Sequence, residues 1–132
     1  LINTTRADLA IPVQLMRPDE LIAAQNLVRR IPMGERVTEA IINLIRSGRP
    51  ENSDLDSVRK NVSWGPGPRA GQALMLGVRA RAVMQGRLAP SIDDVIALAH
   101  PVLRHRMSLT FAARAEGANL FTIINDICER IG

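Results

Sequence analysis

Arg69 is the residue whose type and setting most suggest chemistry. It ends the stretch Trp64-Gly65-Pro66-Gly67-Pro68-Arg69 and opens the longest helical pattern in the chain. Pro66 and Pro68 hold two φ angles at about −65°, and Pro68 suits a first helical position, where its missing N–H costs nothing. Ala73, Leu76, Ala80 and Val83 then fall on one face, widened by Leu74, Val78 and Met84. The spacing predicts a guanidinium fixed by a stiff turn at the buried start of an apolar helix. Two roles fit it: a phosphate contact at a helix N-terminus, or a salt bridge to a neighbouring acid. A Gly-Pro-Arg turn alone does not choose between them.

Other groups offer less. The sequence contains no G-x-x-x-x-G-K-[ST] phosphate loop, and its one lysine, Lys60, lies outside any glycine loop. His100 and His105 lack the further ligands a metal needs, so they read as a helix-end and a turn histidine. Asp93 and Asp94 read as helix-start residues. Arg79, Arg81, Arg87, Arg104, Arg106 and Arg114 read as a solvated basic face. Trp64 reads as a core or interface anchor, without the aromatic neighbours that a base-stacking platform requires.

These residues sit in a chain of 132, enough for one domain with a real core. Two Phe, one Trp and no Tyr leave an aliphatic core, which favours helices. Sixteen of the 17 basic residues are arginine, for a net charge of +4. That suits planar anionic partners such as phosphate or carboxylate without demanding nucleic acid. Cys128 is alone, so it reads as a small core residue in a reducing, cytoplasmic setting. No apolar run approaches the roughly 20 residues of a membrane span. Beginning at Leu1, the sequence reads as a piece of something longer.

In order along the chain, residues 1–17 show no helical period; Ile11, Val13 and Leu15 alternate, as an extended stretch or a surface linker would. Pro18-Asp19-Glu20 opens a helix with the stripe Leu21, Ala24, Val28 and Ile31, stopped by Pro32. A second helix, about 34–47, buries Val37, Ala40, Ile41, Leu44 and Ile45. A polar loop spans 48–54, and Leu55 and Val58 suggest one helical turn. Ser91 caps the next helix, which buries Ile92, Val95, Ile96 and Ala99 and ends or kinks at Pro101. Met107, Leu109 and Phe111 alternate like a short strand. A last helix from near Asn119 buries Leu120, Ile123, Ile124, Ile127 and Ile131. The expected fold is mainly α, a compact bundle of about five helices with one short β element near 105–111.

Several of these blocks resemble one family. V-S-W-G-P-G-P-R-A (62–70), A-R-A (80–82), G-R (86–87), S-I-D-D-V (91–95), A-H-P-V-L-R-H-R (99–106) and A-R-A-E-G (113–117) closely resemble the C-terminal lid of MoxR-type AAA+ ATPases, and a weaker likeness reaches back through 18–47. In that family the lid follows an α/β nucleotide-binding core, and the arginine of G-[AS]-[SG]-P-R is the sensor 2 residue, which reaches the γ-phosphate. The resemblance implies that Arg69 is sensor 2, with Gly65, Gly67 and Pro68 setting its position. Here proline follows Gly65, and Gly67 replaces a serine often found before the proline. It further implies residues 1–17 as a linker from an N-terminal core and 18–132 as the lid. ATP and Mg2+ would be bound by the parent protein and neither by this fragment. It also implies a ring homo-oligomer and a von Willebrand factor type A domain protein as partner, with neither membrane nor nucleic acid. Two other readings stand beside it. A basic module for nucleic acid needs arginines converging on one face, and a purely structural bundle needs Arg69 buried in an internal salt bridge.

Overall fold

A computed structural model describes residues 13–132. Among them seven helices and one two-stranded sheet follow in the order α1 (Pro18–Arg30), α2 (Glu35–Ser47), α3 (Asp56–Asn61), β1 (Val62–Trp64), α4 (Pro68–Met84), α5 (Ile92–Leu103), β2 (Ser108–Leu109), α6 (Phe111–Ala115) and α7 (Leu120–Glu129). The mainly helical bundle expected from the aliphatic composition is therefore present. Of the Ile11–Val13–Leu15 alternation, Ile11 lies outside the described residues, and Val13 and Leu15 are exposed and belong to no strand.

The core forms where apolar stripes of α2, α4, α5 and α7 meet. Val37, Ile41 and Leu44 of α2 pack with Leu74 and Val78 of α4, Val95 and Leu103 of α5, and Ile123, Ile124 and Ile127 of α7. The stripe read for α2 is the buried one, apart from half-buried Ile45, and the α7 stripe is buried from Ile123 to Ile127. Cys128 is buried too, and burial pushes its thiol up, away from the reactive thiolate.

Three expectations need correction. In α4 the buried face is Ala70, Leu74, Val78 and Ala82: Leu74 and Val78, read at the edge of the stripe, are its centre, and the Ala73–Leu76–Ala80–Val83 line is not buried. Leu76 is exposed and Met84 is 86% exposed. The helix carries apolar residues on several faces, so period alone does not select one; contact with both α2 and α5 does. Of the stripe read for α1, Leu21 and Ala24 are exposed, Val28 is half-buried, and Ile31, just past the helix, is buried; no residue inside the helix is buried. The short element near 105–111 is only Ser108–Leu109, because Thr110 caps a further helix, α6, by accepting from the Ala113 amide at 3.1 Å.

That β element finds its partner in the stretch leading to the proline corner. Val62 pairs with Leu109 and Trp64 with Ser108, antiparallel and with a local irregularity. Ser63 Oγ donates to the Ser108 carbonyl at 3.1 Å, and the Thr110 amide to the Asn61 carbonyl at 2.8 Å. Pro101 lies inside α5, which runs on to Leu103. Both Pro101 and Ala97, whose carbonyl loses its helical donor, are on the solvent side, where that carbonyl is open to solvent.

Candidate functional site

The corner before α4 is held from below by the loop after α2. Pro66 is fully buried, and its carbonyl accepts from Arg49 Nε at 2.8 Å. Gly65 lies so close to that loop that a Cβ there would sit 2.6 Å from the Gly48 carbonyl oxygen and 2.8 Å from Arg49 Cα. A Cβ on Gly48 would in turn meet the Pro66 ring at 2.9 Å. Two glycines and a proline thus let two backbones touch, and the sheet fixes the chain just upstream. Arg49, which sequence reasoning did not single out, supplies the hydrogen bond that closes the joint.

A contrast between two glycines checks this joint. Gly65→Ala forces backbone against backbone and costs about 2 kcal/mol, visible as a lower melting temperature. Gly67→Ala meets nothing within 4 Å, at an ordinary φ of −96°. Its effect stays within about 1 kcal/mol, the loss of a tolerated N-cap. Equal melting temperatures for the two variants would refute the contact.

Above the joint, the helix start faces solvent. Pro68 takes the first helical position after Gly67, and Arg69 the second. Both are exposed, which corrects the expectation of a buried start; only Pro66 and Ala70 reach the interior. Among the described residues no carboxylate pairs with the Arg69 guanidinium. The requirement of a purely structural bundle, Arg69 inside a salt bridge, is not met. Backbone donors are few here. Pro68 has no N–H, and the Ala70 amide already donates to the Gly67 carbonyl at 2.9 Å. Whatever anion is met at this end meets chiefly the side chain. Trp64 stands 70% exposed at the end of β1, so it is no core anchor.

Other arginines of the expected solvated face are tied to the protein instead. Arg79 Nε donates to the Ile31 carbonyl at 3.0 Å and Arg106 Nη1 to the Val102 carbonyl at 2.8 Å. Arg87 and Arg81 both hold Asp94, which is 1% exposed. Arg87 reaches it through two nitrogens, at 2.8 Å and 2.6 Å, and Arg81 Nε at 3.0 Å. The Arg87 guanidinium, helped by the Ser91 amide, holds the Asp94 carboxyl down at about 2. Asp94 was legible as a capping residue but not as the acid that joins α4 to α5. His100 and His105 come into no metal-ligating cluster among the described residues. His100 instead stacks on Phe121, ring centroids 4.0 Å apart, and its Nε2 lies 2.7 Å from Asn125 Oδ1.

The fold and site define a small helical bundle whose rigid corner presents one arginine outward at a helix start. A family model described as the AAA lid domain matches residues 56–127. Chaperone MoxR1 of Mycobacterium tuberculosis (strain ATCC 25618 / H37Rv) is 25% identical over 119 residues, covering 89% of this chain and 32% of the relative. Uncharacterized protein YeaC of Bacillus subtilis (strain 168) is 27% identical over 124 residues, covering 91% and 36%. A crystal structure of a candidate ATPase from Cytophaga hutchinsonii ATCC 33406 superposes with a TM-score of 0.81 at 24% identity, covering 86% of this chain and 35% of that one. The chain belongs to the AAA lid domain family, as a lid of the MoxR type. It spans about a third of the length of these relatives.

Proposed function

We propose that Arg69 is the sensor 2 arginine of a larger AAA+ ATPase, set by Gly65, Gly67 and Pro68 to meet the terminal phosphate of ATP held on an N-terminal core of the same chain. One observation carries the reading: an exposed guanidinium, unpaired among the described residues, stands on a corner that the Gly48–Gly65 contact keeps from yielding. A planar, permanently charged fork matches phosphate oxygens. It would stabilise charge on the transferring phosphoryl group only while the bundle lies against the core. The residues here fit that one part of a nucleotide site. Mg2+ and the phosphate loop belong to the core, with residues 1–17 as the linker to it and 18–132 as the lid. Ring assembly, remodelling of client proteins, a von Willebrand factor type A domain partner and a cytoplasmic setting extend the same proposal to the parent. Among the described residues no helix is long and apolar enough to cross a membrane. Steady-state ATP turnover of the full-length parent carrying Arg69→Ala tests the assignment; unchanged turnover overturns it.

The isolated 132-residue chain supplies a second check. A lone guanidinium without a phosphate loop binds far too weakly for stabilisation by mass action at millimolar ligand. The chain therefore melts at the same temperature with and without millimolar ATP and Mg2+. A rise of several degrees would mean that it holds nucleotide unaided.

A nucleic-acid module is disfavoured by the arginines themselves. Arg49, Arg79, Arg81, Arg87 and Arg106 are committed to carbonyls or to Asp94, in different parts of the bundle.

A further inference from the structure

The His100–Arg106 segment has no part in the Arg69 corner, yet it helps to build a pocket of its own. Between α5 and the start of α7 lies a cavity of about 340 Å³ lined by His100, Pro101, Arg104, Leu120, Phe121 and Ile124. Leu120, Ile124 and Pro101 give it an apolar lining. The stacked rings of His100 and Phe121 belong to its wall, and the His100–Asn125 hydrogen bond fixes them in place. Phe121 remains 59% exposed although it is held rigid. Exposed aromatics locked in position lose little entropy when a partner covers them, which is why they recur as binding anchors.

Charge decides what the pocket takes. Its lining includes one exposed arginine, Arg104, and no carboxylate. The neighbouring His105 is exposed as well. Leu120 and Phe121 are the first two residues of α7, so the positive end of a ten-residue helix also faces this side. At the opposing negative end of α5, the Val102 carbonyl is already engaged by Arg106 Nη1. Two of the pockets beside α2, by contrast, hold a carboxylate, Asp54 or Glu39, among their arginines.

We propose that this α5–α7 pocket docks a short segment of a partner protein in which an apolar side chain stands beside a carboxylate. The apolar side chain fills the space against Leu120, Ile124 and Phe121, and the carboxylate meets the Arg104 fork. The surface is distinct from the Arg69 corner in both residues and elements, so it serves partner or client recovery whatever becomes of the nucleotide.

The test uses the chain labelled with 15N and a capped peptide built on Glu-Asp-Leu-Phe, with Lys-Lys-Leu-Phe as its charge-reversed counterpart. The acidic peptide gives saturable amide shifts around residues 100–104 and 120–125, with a dissociation constant on the order of 0.1 mM. Arg104→Glu and Phe121→Ala each weaken it about tenfold or more. Both side chains are exposed, so both variants stay folded, Phe121→Ala giving up only its stack on His100, and Phe111→Ala, still more exposed on α6, leaves binding intact. Several results overturn the proposal: no saturation, equal binding of the lysine peptide, or indifference to both variants. So does a concentration-dependent dimer that Phe121→Ala abolishes, which would make a second copy the occupant. Binding lost in the full-length parent overturns it too, since another part of that chain would then cover the pocket.

Discussion

Arg69→Ala in the full-length parent lowers ATP turnover by about a hundredfold while the lid remains folded. The size follows from removing one pre-positioned charged donor from a developing phosphoryl charge, which costs about 3 kcal/mol in comparable settings. Folding is spared because Arg69 is exposed and unpaired among the described residues; alanine there strands no buried carboxylate. Arg69→Lys recovers part of the rate, since it keeps the charge and loses the bidentate fork. Gly65→Ala separates position from charge. It retains the guanidinium but displaces the corner, so turnover falls although Arg69 is intact. A parent whose turnover responds to Gly65→Ala and ignores Arg69→Ala would show that the corner matters for something other than presenting that side chain.

Local signals carried much of the fold. Val37, Ala40, Ile41 and Leu44 repeat at helical spacing with Thr38, Glu39 and Asn43 between them, so a single buried face was legible. Ser91-Ile92-Asp93-Asp94 is readable as a helix start because capping is decided within four residues. The Gly-Pro-Gly-Pro corner is equally local in what it says about φ. What it rests on is not: Gly48 and Arg49 lie about 17 residues upstream, and nothing in a one-dimensional pattern brings the Gly48 carbonyl to within a methyl's reach of Gly65.

The same reason explains the misreadings. Val62–Trp64 has only three residues and no visible alternation, so its pairing with Ser108–Leu109 could not be inferred from either segment alone. Arg69 was expected at a buried start because an apolar helix follows it. The helix enters the core at its third residue, Ala70, and leaves only its first two residues outside. The stripe of α1 predicts a covered face, yet only its far end is covered: Leu21 and Ala24 are exposed, Val28 is half-buried and Ile31 is buried. Amphipathic spacing shows that a face is apolar and is silent on what covers it. At the site, type and spacing sufficed for Arg69 but not for its support, which is long-range packing.

Asp94→Ala lowers the melting temperature by roughly 10 °C, the largest stability effect expected of a single polar substitution here. The chain approaches this residue through a turn that requires its glycine. Gly86 has φ 71° just after α4, and the Arg87 amide folds back to the Ala82 carbonyl at 2.8 Å while the Gly86 amide donates to Val83 at 2.9 Å. That turn points Arg87 at the start of α5, where Asp94 accepts from it twice, from Arg81 and from the Ser91 amide at 2.8 Å. Removing the carboxylate deletes the cap of α5 and leaves two guanidinium groups without their partner, at about 3 kcal/mol. Asp93→Ala, exposed one residue away, changes stability by no more than about 0.5 kcal/mol. Acid gives an independent readout of the same group. In the unfolded chain this carboxyl titrates near 3.8, and in the fold near 2, so between those values the unfolded state binds the extra proton. The contribution, about 2 kcal/mol, is complete above pH 3.8 and disappears as pH falls through 2. Wild-type and Asp94→Ala melting curves should draw together over that window. Curves that stay equally far apart from pH 5 to pH 2 would show that the ion pair is not what joins α4 to α5.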